Sequence, residues 1–335
     1  MSGSSSHPTA RYGVEMDGIA QLESDAAAAL RRLAANEDVK AAIAGTPQLF
    51  EVLGKAARRY VAGETSSDAL TRVRAANARG HAATVDFMGE SARDPATVEA
   101  ATSEFERLAL ELRRADVRCS VSFDLSHLGS VLDRALGGTC ARRLALATMG
   151  RAAGTAAEKG CELMISAEGH DRTQQTLDEH ELLCREFDHV GVTVQARLHR
   201  TTADVERLLE RPGRIRLVKG AFDFPSDLGL SRDDPLLASR FDALATRLLE
   251  SGHPCSIATH DPELIAAAEA AIRPGSDYTF EMLDGIDREA LDALHARGHP
   301  TQEYVVYGNE WFLYVCNRIA EHPPRLYQAL IDVLT

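Results

Sequence analysis

The sequence predicts an α/β protein: a closed (β/α)8 barrel with an N-terminal helical arm and an additional C-terminal helix over the barrel mouth. Three observations predict it. Eight short runs rich in apolar and β-branched residues recur along the chain, at 81–87, 119–125, 161–167, 190–196, 214–219, 255–259, 277–283 and 301–307. Between most of them lie longer stretches with apolar residues at i, i+3 and i+4, at 96–115, 141–159, 176–187, 202–210, 234–251 and 262–272. No Gly-x-Gly-x-x-Gly follows the first run, which argues against an open dinucleotide-binding sheet. Strand and helix alternating over this length make a parallel sheet, and eight strands close it into a TIM-like barrel.

Taken in order, residues 1–20 read as a disordered lead, lacking the basic and apolar regions of a signal peptide. Residues 21–64 form the helical arm. Its first helix, 25–44, is rich in Ala and Leu. Its second, 47–62, has Pro47 at its start and Gly63 just past its end. The barrel takes residues 65–335, with Gly137-Gly138 read as a turn inside it. A final helix starts near Trp311 and carries Tyr314, Asn317, Arg318 and Glu321 on one face. His322-Pro323-Pro324 interrupts it, and an amphipathic piece over 325–334 closes the chain.

Composition narrows the function. With 335 residues, 44% of them hydrophobic and 26% charged, the chain can build a large core, which excludes wholesale disorder. Its 37 basic and 50 acidic residues give a net charge of −13, unfavourable for nucleic acid and for anionic membrane. No apolar run approaches the roughly 20 residues that span a bilayer. Six scattered cysteines without a Cys-x-x-Cys pair fit a reduced, cytoplasmic protein. Cys119, Cys161 and Cys255 open strands and read as small buried hydrophobes. His295 with His299, and His180 with Cys184, have the spacing of metal pairs but no third ligand set; they read as solvated helix faces, and no metal is expected.

In such barrels chemistry gathers at the C-terminal strand ends. Here those ends carry Asp86, Asp124, Glu168, Gln195, Lys219, His260, Glu281 with Asp284, and Tyr304 with Tyr307, above an interior expected to be Val and Ile. Arg216 and Lys219 lie in an otherwise apolar strand. Each needs either an acidic strand neighbour or a bound anion or polar ligand. Gly220 after them permits close approach of backbone or ligand.

Several motifs then carry a resemblance. Arg216-Leu-Val-Lys-Gly-Ala-Phe222 resembles the Arg-Leu-Val-Lys-Gly-Ala-Tyr signature of the proline dehydrogenase family. Ala258-Thr-His-Asp261, Phe280-Glu-Met-Leu-Asp-Gly285, Tyr304-Val-Val-Tyr-Gly-Asn-Glu-Trp311 and Tyr314-Val-Cys-Asn-Arg-Ile-Ala-Glu321 resemble further motifs of that family, in the same order. Upstream, Tyr60-Val-Ala-Gly-Glu64 and Val85-Asp-Phe-Met-Gly-Glu90 also fit, so the likeness covers about residues 58–335. The resemblance implies a distorted barrel holding FAD that takes a hydride from the carbon beside an amine nitrogen. It implies that Gln195 bonds the flavin ring and that Arg216 sits near its hydride-accepting N5. Lys219, Gly220, Ala221, Phe222, Thr259, His260 and Glu321 would line the cofactor site. It further suggests a quinone as electron acceptor, with oxygen open as the alternative because nothing in the sequence decides between them; an oligomer stays open too.

The substrate side departs from that pattern. The family holds the proline carboxylate with one Lys and two Arg. In Val121-Ser-Phe-Asp-Leu-Ser126 the Lys position is Asp124, and of the Arg pair the first is Asn317 and only Arg318 remains. Glu281 stands where the pattern has Gln, and Asp284 where it has Tyr or His. Tyr304 and Tyr314 match positions beside the substrate. An acid in place of a cation repels a carboxylate, and Arg318 has Asp124 or Glu321 as alternative partners. The expected function is therefore FAD-dependent oxidation of an amine, or of a hydrazine, other than free L-proline. The alternatives are an ordinary L-proline dehydrogenase forming 1-pyrroline-5-carboxylate, or a non-catalytic flavin-binding barrel.

Overall fold

The computed structural model describes residues 9–34, 36–89, 92–149, 161–222 and 224–334. Chain contacts divide it into two units: Ala62–Asn309, and a helical unit made of Met1–Val61 with Glu310–Thr335.

The first unit is the barrel. Its strands are β1 (Ala82–Phe87), β2 (Cys119–Phe123), β3 (Leu163–Ile165), β4 (Val190–Gln195), β5 (Ile215–Val218), β6 (Cys255–Ala258), β7 (Tyr278–Leu283) and β8 (Thr301–Tyr307). They pair in sequence order, all parallel, and β8 closes onto β1. All eight expected runs are there, and the reason is physical: strands covered on both faces read as short apolar runs. Outward residues such as Val85, Phe123, Leu163, Ile165, Val192, Leu217, Ile257 and Phe280 join one core cluster with the surrounding helices. The inward face differs from the expected Val and Ile. Thr84 Oγ1 meets Ser120 Oγ at 2.8 Å, Gln302 donates to both, and Ser122 Oγ meets Ser166 Oγ at 2.8 Å. The barrel interior is thus a layer of small hydroxyls bonded to one another, which prepares it to hold charge.

Helices α4 (Ser66–Ala78), α5 (Pro95–Arg114), α6 (Arg134–Thr148), α7 (Thr173–Leu183), α8 (Thr201–Leu208), α9 (Leu236–Ser251), α10 (Pro262–Ala271) and α11 (Arg288–Ala296) belong to this unit. The turn expected at Gly137-Gly138 is instead inside α6. A Cβ on Gly137 would lie 2.7 Å from the Ser130 Cα, so glycine serves close packing there and not chain reversal. The helix expected over 141–159 is described only to Thr148, and 150–160 lie outside the described residues. α4 begins at a capping box of Thr65 and Asp68 and packs on β1 and β8.

The helical unit holds α1 (Thr9–Ala34), α2 (Glu37–Ala44), α3 (Pro47–Ala57), α12 (Trp311–Ala320) and α13 (Arg325–Leu334). α1 starts at Thr9, inside the stretch expected to be a disordered lead, and its Ala-rich sequence favours a helix. Residues 1–8 lie outside the described residues. Both chain ends build this unit. Arg31 Nη2 donates to the Ala320 carbonyl at 3.2 Å, Arg59 Nε pairs with Asp332 at 2.7 Å, and the Phe50 and Trp311 rings lie 5.1 Å apart.

His180 is not on a solvated face, as the spacing suggested. It is 2% exposed, with Nε2 3.1 Å from the Val190 carbonyl oxygen, and burial lowers its pKa to about 4. The Cys161 and Cys255 thiols are buried and pushed up to about 12, which marks them as inert packing groups. Among the described residues no cluster of three His, Cys, Asp or Glu could hold a metal, and no helix is long and apolar enough to cross a membrane.

Candidate active site

The strand ends converge on a charged mouth. Asp86, the next-to-last residue of β1, accepts a short hydrogen bond from the Tyr304 hydroxyl of β8 through Oδ2, while its buried Oδ1 has no partner. Burial, and then the neighbouring Asp124, push the Asp86 carboxyl well above the usual carboxylate range, against the pull of Tyr304 and Arg216. Asp124 follows β2 directly. Burial raises its carboxyl too; His127 opposes the rise and Glu168 adds to it. His127 Nε2 lies 3.8 Å from Asp124 Oδ2. Glu168, after β3, accepts from the Ser126 amide at 3.1 Å and pairs with Arg172. Burial and the Asp86 carboxylate hold the Tyr304 hydroxyl far above its ordinary pKa.

Arg216 sits deep in β5, and of the two readings its position allows, an acidic neighbour is what the structure shows. Its Nε meets Glu281 Oε2 of β7 at 3.0 Å, with side chains 4% and 2% exposed. Nη1 reaches Ser122 Oγ at 3.1 Å and Nη2 reaches Thr84 Oγ1 at 3.3 Å, while the guanidinium lies over the Tyr304 ring at 5.0 Å. With Thr193 Oγ1 of β4 at 3.5 Å from Nη1, bonds to neutral hydroxyls from three strands satisfy a cation that would otherwise be costly to bury.

Gln195 ends β4. Its Nε2 donates to the Glu168 carbonyl at 3.0 Å, leaving Oε1 buried without a partner. Gly220 lies beside it at φ +113°, where a Cβ would come 3.0 Å from that same Oε1. Lys219 Nζ pairs with Asp261 Oδ2 at 2.8 Å, Thr259 Oγ1 accepts from the Asp261 amide, and His260 Nε2 accepts from the Leu283 amide. Ala221 and Phe222 are exposed, their carbonyls held by Arg232 and Arg197 respectively.

Asp284 does not join this group. One residue past β7, its carboxylate is 1% exposed and paired with Arg72 of α4 at 3.1 Å and Arg288 of α11 at 3.0 Å, on the helix side of the sheet. Tyr314, Asn317 and Arg318 lie on α12, with Glu321 at its C-cap, in the helical unit. There Arg318 takes the Glu321 alternative: Nη2 to Oε1 is 2.7 Å, with the guanidinium over the Tyr314 ring at 5.1 Å.

The sequence reading missed His127 and Arg197. His127 is 5% exposed and follows Asp124 by one turn, a spacing that was the available signal. Arg197, 3% exposed, donates to the Leu230 and Phe222 carbonyls and lies 4.5 Å over Phe224, tying down the segment after Gly220.

Fold and mouth together define a (β/α)8-barrel enzyme with buried acid–base groups at the C-terminal strand ends. The sequence model of the family described as proline dehydrogenase matches residues 69–223. A protein named proline dehydrogenase from Deinococcus radiodurans is 31% identical over 276 residues, covering 80% of this chain and 86% of that one. Proline dehydrogenase 1 of Bacillus subtilis is 29% identical over 288 residues, covering 83% and 90%. In fold, the chain is similar to proline utilization A (PutA) from Bdellovibrio bacteriovorus, inactivated by N-propargylglycine, with a TM-score of 0.71 at 20% identity; it spans 79% of this chain but 32% of that one. The chain belongs to the proline dehydrogenase family, and so to the oxidoreductases that act on CH–NH groups.

Proposed function

We propose that this chain is an FAD-dependent dehydrogenase that oxidises L-proline to its cyclic imine. Relatives named for that activity, similar over most of their length, support this substrate better than the non-proline amine that the altered anchors suggest. The observation that carries the cofactor is Gln195: a buried, unpartnered carbonyl oxygen at a strand end, beside a glycine, calls for a donor from outside the chain. The chemistry of this edge fits a flavin ring, which has both N–H and carbonyl groups. Gln195 and Gly220 would hold it, with Lys219, Thr259 and His260 on the β5–β6 side. When bound, FAD supplies the two-electron acceptor for the substrate hydride.

The chain's own groups handle the proton. A free amine is cationic in water and must be neutral to give up hydride. Asp86 Oδ1 is the open acceptor: Tyr304 occupies Oδ2, and burial holds the carboxyl well above its usual range, which favours its taking a proton. Arg216 fixes the Tyr304 ring and so orients Asp86. A quinone is the proposed final acceptor, with oxygen as the alternative.

The test of the cofactor reading is Gln195→Leu. Removing the amide should weaken FAD binding about tenfold or more, the value of a buried hydrogen bond with its partner left unsatisfied, read by fluorescence titration of the reconstituted protein. Unchanged affinity contradicts the assignment.

Asp124 favours a second reading: a proline-sized amine with a neutral or cationic group in place of the carboxylate. An ionised Asp124 repels a carboxylate. A protonated one, toward which burial pushes it, tolerates a carboxylate and donates to it.

A further inference from the structure

The charge of Arg216 is answered in an unusual way. Its contacts at Ser122, Thr193 and Thr84 are neutral hydroxyls, which satisfy N–H groups but leave the net charge in place. Glu281 alone among its hydrogen-bond partners here carries a compensating charge. Both side chains are almost fully shielded from water, and the second carboxylate oxygen, Glu281 Oε1, has no hydrogen-bond partner. The Glu281 charge is therefore directed at the guanidinium and little elsewhere. In a poorly solvated interior, one uncompensated cation acts over the whole barrel mouth, whereas a close pair acts only as a short dipole.

We infer that Glu281 sets the reduction potential of the bound cofactor by cancelling the charge of Arg216. This rests on the reading that FAD binds at this mouth. Reduction adds negative charge to a cofactor, and a net cation nearby favours the reduced form. A neutralised pair withholds that help and keeps the potential low. Glu281 is then a positioning residue, acting through Arg216. Glutamine, which the related motif has at this place, would keep a hydrogen bond to Arg216 and leave its charge free.

The experiment compares the FAD-loaded wild type with Glu281→Gln and Glu281→Asp by equilibration with a redox dye. Glu281→Gln should shift the equilibrium toward the reduced form about tenfold, about 30 mV for a two-electron couple. Glu281→Asp, which keeps the charge, should stay at the wild-type potential. Asp292→Asn, which removes an acid half exposed at a side chain bonded to His81, serves as the control and should not move it. A Gln variant that holds FAD at the wild-type potential overturns the inference. So does one that loses FAD while the Asp variant keeps it, because Glu281 would then hold the site together instead of tuning it. A wild type that takes up no FAD defeats the underlying cofactor reading, a result distinct from both.

Discussion

An Arg216→Met protein loses about 3–5 kcal/mol of stability, the usual cost of leaving one member of a buried ion pair without its partner. Glu281, 2% exposed and already lacking a partner at Oε1, would keep a charge or have to take up a proton, and the Ser122 and Thr84 hydroxyls would lose a donor. The melting temperature should drop by roughly 10 °C. Arg216→Met combined with Glu281→Leu should recover at least half of the loss, since replacing a buried pair with apolar groups is often near neutral. Urea denaturation of the two variants measures both effects. A single-variant loss below about 1 kcal/mol would show that the pair is not held in a dry interior.

Asp124→Lys raises kcat/KM for L-proline about tenfold to a hundredfold, the range of a charge-assisted hydrogen bond worth about 1.5–3 kcal/mol. The position is ready for a cation. It lies among Asp86, Glu168 and the His127 ring, so a lysine there meets two carboxylates and brings a donor for the substrate carboxylate. Steady-state kinetics with L-proline decide it. If this variant does not improve proline turnover, Asp124 is not at the carboxylate end of the substrate.

Much of the fold was legible because a parallel barrel repeats one signal. Strands such as Val190–Gln195, buried throughout, read as apolar runs wherever they fall. The helices α4 and α11 were not read. α4 has only Ala69, Leu70, Val73 and Ala76 for its apolar side amid Ser, Asp, Arg and Asn, and α11 is 9 residues long. Gly137 misled because a glycine needed for contact with Ser130 looks the same as one needed for a turn.

The site was legible at the strand ends, since the barrel fixes which end carries chemistry. Asp86, Asp124, Gln195 and Tyr304 could be chosen as candidates from position alone, and Arg216 as a charge in an otherwise apolar strand. What position could not give was facing. Asp284 differs from Glu281 by 3 residues, yet one pairs with Arg216 inside the barrel and the other with Arg72 and Arg288 among the helices. Nor could sequence decide between partners for buried charges. Arg216 allowed a ligand or an acid, and Arg318 allowed Asp124 or Glu321; only coordinates show Glu281 and Glu321 in those places.

The most direct test of the account is anaerobic reduction of the FAD-loaded protein, followed by the loss of its visible absorbance, with L-proline and with L-prolinamide across pH. The account predicts that L-proline bleaches the flavin. It also predicts that the rate with L-proline relative to L-prolinamide falls as pH rises, because Asp124, held above its ordinary range, ionises and begins to repel the carboxylate. Bleaching by L-prolinamide with none by L-proline at any pH would contradict it, and would make the chain a dehydrogenase for amines that lack a free carboxylate.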